Sequence, residues 1–226
     1  MKVELTIVIA VLESYEAVKR QCQYWAEMRI PLDVEIIIVD DGSPKPLRAI
    51  TEPFASACNI RVIETGDTRP WSQPCARNAG AAHAGAEKIL FTDIDHILSI
   101  EALIAARSFD GDMMKFPREF AVIDEFGKLS QELCVLKRYG LGRKIKTGPH
   151  FNTFVIKTKL FDALHGYKES FCGKYGGDDT DFSDRYSALH KKGEAGRAVH
   201  GPKIFVFPDP RKDKQQIFHS LRRNAK

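Results

Sequence analysis

The sequence predicts an α/β fold with a mostly parallel, Rossmann-like sheet flanked by helices. Three observations lead there. Apolar runs of strand length alternate with helix-patterned stretches through the first hundred residues. The strongest runs are apolar almost throughout rather than at every second position, as in strands buried on both faces. Acidic clusters follow two of these runs, at the carboxyl ends where open α/β sheets hold ligands. The 226 residues are enough for one domain with a full core, expected over 1–226.

The elements follow in order. Leu5–Val11 is the first strand; the run is too short for a secretory signal. Tyr15–Met28 has helical character. Val34–Val39 is the second strand and leaves through the turn Asp40-Asp41-Gly42-Ser43-Pro44. Ile60–Ile63 is a short third strand. Pro74–Gly85 reads as a helix, with Ser72 at the N-cap, Pro74 near N1 and Gly85 near the end. Lys88–Thr92 is the fourth strand, with Asp93 at its carboxyl end. A βαβ series of this kind implies right-handed crossovers.

The second half is less regular. Met113–Phe116 and Leu129–Leu136 are expected strands around a turn at 124–127. Lys137–Pro149 is a basic, glycine-rich loop, and His165–Gly177 is another loop. Phe154–Ile156 and Ile204–Phe207 are strands; Asp179–Lys192 and Gln215–Arg223 are helices.

Composition removes several classes. No run approaches the ~18 apolar residues of a membrane span. The five cysteines are odd in number, scattered and without a C-x-x-C pair. That argues against structural zinc or a disulfide framework and for a reducing cytosol. The net charge of +4 suits an acidic small ligand, and no nucleic-acid partner is expected. Arg211, Lys212, Lys214, Arg222, Arg223 and Lys226 make the C-terminus basic. It reads as a solvated tail, a lid over a diphosphate, or a peripheral contact with the inner face of an anionic membrane.

Four constellations carry chemistry. In Phe91-Thr92-Asp93-Ile94-Asp95-His96, two carboxylates at a strand end concentrate negative charge that a hard divalent cation would neutralise. The plainer reading is a pair of capping carboxylates before the Ser99 helix. In Val39-Asp40-Asp41-Gly42-Ser43, a carboxylate beyond a buried strand can accept from a base or ribose, or simply end the strand. Gly173-Lys174-Tyr175-Gly176-Gly177-Asp178-Asp179-Thr180-Asp181 brings three acids to a helix start, more than a cap needs. One of them can serve as a general base. Arg77-Asn78 reads either as a nucleotide contact or as a surface ion pair.

Taken in order, the motifs resemble glycosyltransferase family 2 and its relatives of GT-A fold, including the galactosyl- and N-acetylgalactosaminyl-transferases. The carrying residues are Thr6–Val11, Val39-Asp40-Asp41-Gly42-Ser43, Ala76-Arg77-Asn78-Ala79-Gly80, Phe91-Thr92-Asp93-Ile94-Asp95, and Gly166-Tyr167-Lys168-Glu169 followed by Gly176-Gly177-Asp178-Asp179-Thr180-Asp181-Phe182. The resemblance implies a donor-binding half at about 1–98 and an acceptor-binding, catalytic half at about 99–226. It implies a nucleotide-diphosphate sugar, with UDP-sugars the commonest donors, contacted by Ala10, Leu12, Asp40, Asp41, Arg77, Asp93 and Ile94. It implies Mn²⁺ or Mg²⁺ on Asp95 and Asp93, with a C-terminal histidine, His219 in preference to His200; the His96 side chain is expected to point away from the metal. Asp179 would be the base of an inverting hexosyl- or N-acetylhexosaminyl-transfer to a glycan or glycolipid hydroxyl. Asp178, Asp181 and the segment with His150 and Asn152 would hold the acceptor.

Two positions depart from the family pattern. Ala10-Val11-Leu12-Glu13 replaces the usual polar residues after the first strand, and Asp178-Asp179 replaces Glu-Asp. Two other functions stay open: a haloacid-dehalogenase-like phosphatase, whose D-x-D motif resembles Asp93-Ile94-Asp95, and a degenerate nucleotide-binding module without transferase activity. A receiver domain is excluded because its acidic pair follows strand one. A dinucleotide dehydrogenase is weakly supported, because no G-x-G-x-x-G follows that strand.

Overall fold

The computed structural model describes residues 2–69, 71–138, 146–147 and 151–207. In chain order the elements are β1 (Leu5–Val11), α1 (Tyr15–Glu27), β2 (Val34–Asp40), α2 (Arg48–Thr51), β3 (Asn59–Glu64), α3 (Gln73–Ala82), β4 (Lys88–Thr92), β5 (His96–Ile97), α4 (Ile100–Ser108), β6 (Met113–Lys115), β7 (Arg118–Phe120), β8 (Val122–Ile123), β9 (Leu129–Ser130), α5 (Leu133–Arg138), β10 (Lys146–Thr147), β11 (Phe154–Lys157), α6 (Thr158–Ala163), α7 (Asp178–Lys191), β12 (Val199–His200) and β13 (Ile204–Val206).

The main sheet has the order β12-β6-β11-β4-β1-β2-β3. Its strands are parallel except β11, which runs against both β4 and β6. The apolar runs are buried on both faces because helices cover both. Ile7, Ile9, Ile36 and Ile38 join Val18, Trp25 and Leu103 from α1 and α4 on one face. Val8, Ile37, Val39 and Phe91 join Ala76, Phe161 and Phe182 from α3, α6 and α7 on the other. Adjacent residues of β1 thus serve opposite cores, as strand geometry requires. Gly80 lets α3 press onto the sheet: a Cβ there would lie 2.4 Å from Val8 Cγ1 and 2.9 Å from Val39 Cγ2.

A second sheet, β10-β7-β13-β5, sits where the chain leaves β4. β5 pairs antiparallel with β13, through His96 with Val206 and Ile97 with Phe205. The acidic motif therefore lies in the step between the two sheets.

Several expectations change. Leu129–Leu136 is a strand only at Leu129–Ser130 and then becomes α5. Residues 137–138, expected in a loop, belong to α5, and 146–147 form β10. α3 ends at Ala82, and the N–H of Gly85 turns to Glu35 Oε2 at 2.9 Å. Ser72 holds the N-cap position of α3 without a side-chain cap bond. The helix expected at Gln215–Arg223 lies outside the described residues.

Candidate active site

β4 ends at Thr92, and Asp93, Ile94 and Asp95 form the turn into β5. The Asp93 carboxylate is held from three directions. Gln73 Nε2 (3.0 Å) and Arg77 Nη2 (2.6 Å) donate to Oδ1, and Asn152 Nδ2 (3.0 Å) donates to Oδ2. The backbone of the turn is fixed too. Gln21 of α1 donates to the carbonyls of Ile94 (3.2 Å) and His96 (2.9 Å), and the Phe207 N–H donates to that of Asp95 (2.7 Å). The α4 cap is the Ser99 hydroxyl, which accepts from the Ala102 N–H at 3.0 Å. Asp93 and Asp95 are therefore not that helix's caps.

One ligand atom each from Asp93, Asp95 and His96 lies within 4.8 Å of the others. The His96 ring, expected to point away from a metal, lies beside the two carboxylates. His96 is buried, with Nδ1 on the Thr153 hydroxyl and Nε2 3.0 Å from Arg118 Nη1. Arginine only donates, so Nε2 accepts and Nδ1 carries the proton. Burial, with Arg118 and Arg77, pushes the imidazole down to about 4 against the pull of Asp93. His96 is thus neutral at physiological pH.

Arg77 is the hub of the site and is wholly buried. Besides Asp93, its Nη1 donates to Asn152 Oδ1 (3.2 Å) and lies 3.6 Å from Asp178 Oδ2. Its guanidinium also lies over the Tyr167 ring, 5.1 Å from the centroid. Burial pulls its pKa down, but Tyr167, Asp93 and Asp178 outweigh that and hold it above the ordinary value. Arg77, expected as a nucleotide contact, thus braces the Asp93 carboxylate from below the surface. Asn152, expected on the acceptor side, bridges Asp93 and Arg77.

The glycine-rich segment completes this lower layer. Asn78 of α3 exchanges two bonds with Tyr167: Nδ2 donates to its carbonyl and Oδ1 accepts its N–H, each at 2.8 Å. Gly166 has φ +58, and a Cβ there would sit 2.6 Å from Asn78 Oδ1. Arg-Asn and Gly-Tyr are therefore two halves of one contact. Beyond it, Gly177 (φ +93) turns the chain into α7, whose first turn holds Asp178, Asp179 and Asp181.

The three acids separate. Asp178 is buried against Arg77; burial raises its pKa, Arg77 lowers it, and Asp179 and Asp93 raise it further. Asp179 is half-buried and accepts from the Thr180 N–H at 2.7 Å. Asp181 pairs with Lys168 (2.5 Å) and Arg185 (2.7 Å), while Arg185 also donates to the carbonyls of Leu164 and Gly166. Asp181 thus braces α7 against the loop.

At β2, Asp40 caps its own turn, accepting from Ser43 N (2.9 Å) and Leu47 N (3.3 Å). Asp41 is buried beside Thr65 and Ser72. Burial and Asp67 push it up to about 6, against hydrogen bonds from Ser72 and Thr65. Ala10 and Leu12 are half-buried at the end of β1. Glu13 (φ 58) and Ser14 (φ 41) follow in the left-handed region, a strained exit of the kind found at binding sites. Ile94 is half-buried and packs on the core.

His200 lies exposed on β12, at the far edge of the main sheet, outside the Asp93–Asp95–His96 group. His150 and His219 lie outside the described residues. Sequence reasoning missed Gln21, Gln73, Thr153 and Arg118, which carry no local pattern. It also missed the edge contact of Trp71 with Tyr175, 4.8 Å between centroids, beside the start of α7.

The model of the family described as glycosyl transferase family 2 matches residues 10–162. The chain belongs to this family. Solved structures share the fold. The S. aureus TarS fragment 1–349 in complex with UDP-GlcNAc matches at TM-score 0.65 and 16% identity, over 92% of this chain and 59% of that one. The mannosyltransferase PcManGT from Pyrobaculum calidifontis, in complex with GDP-Man and Mn²⁺, matches at 0.58 and 15%, over 90% and 56%. The chain spans less than two thirds of either relative. Comparison with curated protein sequences gives no match. Membership of family 2 removes the phosphatase alternative. No helix among the described residues is long and apolar enough to cross a membrane.

Proposed function

We propose that this family 2 protein transfers a hexosyl or N-acetylhexosaminyl unit from a UDP-sugar to a hydroxyl of a glycan or glycolipid, with inversion. One observation carries the proposal: Asp93, just past β4, and Asp178 from α7 meet on the same buried Arg77. That draws Asp95 and Asp179, their near neighbours in the chain, to one end of the sheet. The first half of the chain (about 1–98) supplies the donor side, and the second half (about 99–226) supplies the acceptor side.

On this reading Ala10, Leu12 and Asp41 line the base, and Arg77, Gln73 and Asn152 fix the Asp93 carboxylate for the ribose. Asp93 and Asp95 suit a hard cation, being carboxylates whose oxygens come within 4.8 Å of one another and of His96. Mn²⁺ or Mg²⁺ held there would offset charge on the departing diphosphate. Asp179 accepts the proton of the acceptor hydroxyl as its oxygen attacks the anomeric carbon and the nucleoside diphosphate leaves from the opposite face. The exposed ring of Tyr175 offers the acceptor sugar an apolar face. The basic C-terminus adds a peripheral contact with anionic membrane.

The test is a thermal-shift screen of UDP-, GDP-, CMP- and dTDP-sugars with and without Mn²⁺, on the parent and Asp95→Ala. A ligand at a hundredfold excess over its Kd stabilises by about 2.7 kcal/mol. A shift that needs a UDP-sugar plus the ion, and is lost in Asp95→Ala, is expected. A shift with a different nucleotide reassigns the donor. Binding without transfer to any acceptor makes the protein a degenerate binding module. An NMR spectrum showing retained anomeric configuration would sink the inverting mechanism.

A further inference from the structure

We propose that Cys75 and Cys172 form a reversible disulfide that fastens the glycine-rich loop to α3 beside the active site. The two residues are distant in sequence, yet their Sγ atoms lie 2.8 Å apart. Closing to the about 2.0 Å of a disulfide needs a shift under roughly 1 Å. Both side chains are half-buried, so a small oxidant has access. The backbones are already joined there: the Gly173 N–H donates to the Trp71 carbonyl at 2.5 Å, and Trp71 meets Tyr175 edge-on.

The remaining cysteines differ. Cys22 and Cys58 are buried, and Cys134 is exposed. Arg69 Nη2 lies 3.1 Å from Cys75 Sγ, which favours negative charge on that sulfur during exchange. Burial and Cys172 nevertheless push the Cys75 thiol up to about 12, so it rests protonated. The pair therefore answers to the redox poise of its surroundings rather than to rapid peroxide capture.

The exchange balances with a small disulfide such as oxidised glutathione. One cysteine thiolate attacks it, forming a mixed disulfide and releasing one glutathione thiolate. The other cysteine displaces the second glutathione. Two cysteine thiols become one disulfide, and two electrons and two protons pass to the glutathione pair. Oxidation then ties Cys172, in the loop that leads to Asp178 and Asp179, to α3, which carries Arg77.

The test equilibrates the full chain in oxidised and reduced glutathione mixtures and maps peptides without reduction. The expected product is a single cross-link of Cys75 with Cys172, titrating as one two-electron couple and absent in Cys75→Ser and Cys172→Ser. Lys174 is exposed within the fastened loop. Tryptic cleavage after it should slow several-fold in the oxidised parent and stay unchanged in Cys75→Ser. Glutathione adducts at Cys75 or Cys172 without the cross-link, or cross-links through Cys134 instead, would overturn the proposal. The cross-link does not depend on the donor or the reaction, so its failure is distinct from failure of the transferase reading.

Discussion

Arg77, itself wholly buried, balances two carboxylates. Removing one member of a buried charge cluster leaves the others uncompensated, at a cost of about 3–5 kcal/mol. Arg77→Met should lose stability of that order in urea titrations. Arg77→Lys should recover little, because a single ammonium cannot serve Asp93, Asn152 and Asp178 together. At Asp179 the effect should fall on chemistry instead. Asp179→Asn is expected to keep the thermal shift with UDP-sugar and metal while transfer drops about 10²–10⁴-fold. Asp41 makes a pH signature. Its folded pKa of about 6 stands above the ordinary 3.8, so the folded state holds the proton longer than the unfolded one. Stability contributed by this group is present below pH 4 and lost as pH rises towards 6, a swing on the order of 2–3 kcal/mol. Asp41→Asn should flatten that part of the curve of urea midpoint against pH.

Among the elements, glycines set the fit between α3, the sheet and the loop. Gly80→Ala would drive a methyl into Val8 and Val39, and overpacking of this kind costs about 1–3 kcal/mol. Gly166→Ala adds backbone strain to a collision with Asn78, so the Asn78–Tyr167 pair should open. Loss of the buried environment of Tyr167 would appear in its near-ultraviolet signal. The elements differ in how far the sequence reveals them. β1, β2 and β4 are continuous apolar runs and are legible as buried strands. β7 and β8 are two or three residues long, and β7 exists because Ile204–Val206 pairs with it from far along the chain. No local window contains that information. The site divides the same way. Asp93, Asp95 and Asp179 stand out as acids at element ends. The burial of Arg77 does not, because a charged residue on a helix reads as surface until Asp93 and Asp178 are seen beside it. Cys75 and Cys172 looked scattered for the same reason.

Across the whole molecule, the centre of the main sheet should be its most persistent part. β1 lies between β2 and β4 and is covered on both faces, so its amides are expected to exchange slowest and only by global unfolding. Amides of β12, at the open edge, should exchange much faster. The second sheet has a different consequence. The acidic turn takes its shape from partners at the other end of the described chain: β13 closes on β5, and Phe207 clamps Asp95. During synthesis at 5–20 residues per second, roughly 5–20 s separate the emergence of these two segments from the ribosome. A nascent chain can stack β1 to β4 in that interval, yet the turn has no lid of its own sheet. The acidic turn is therefore expected to reach its final shape late, when β13 emerges and pairs with β5.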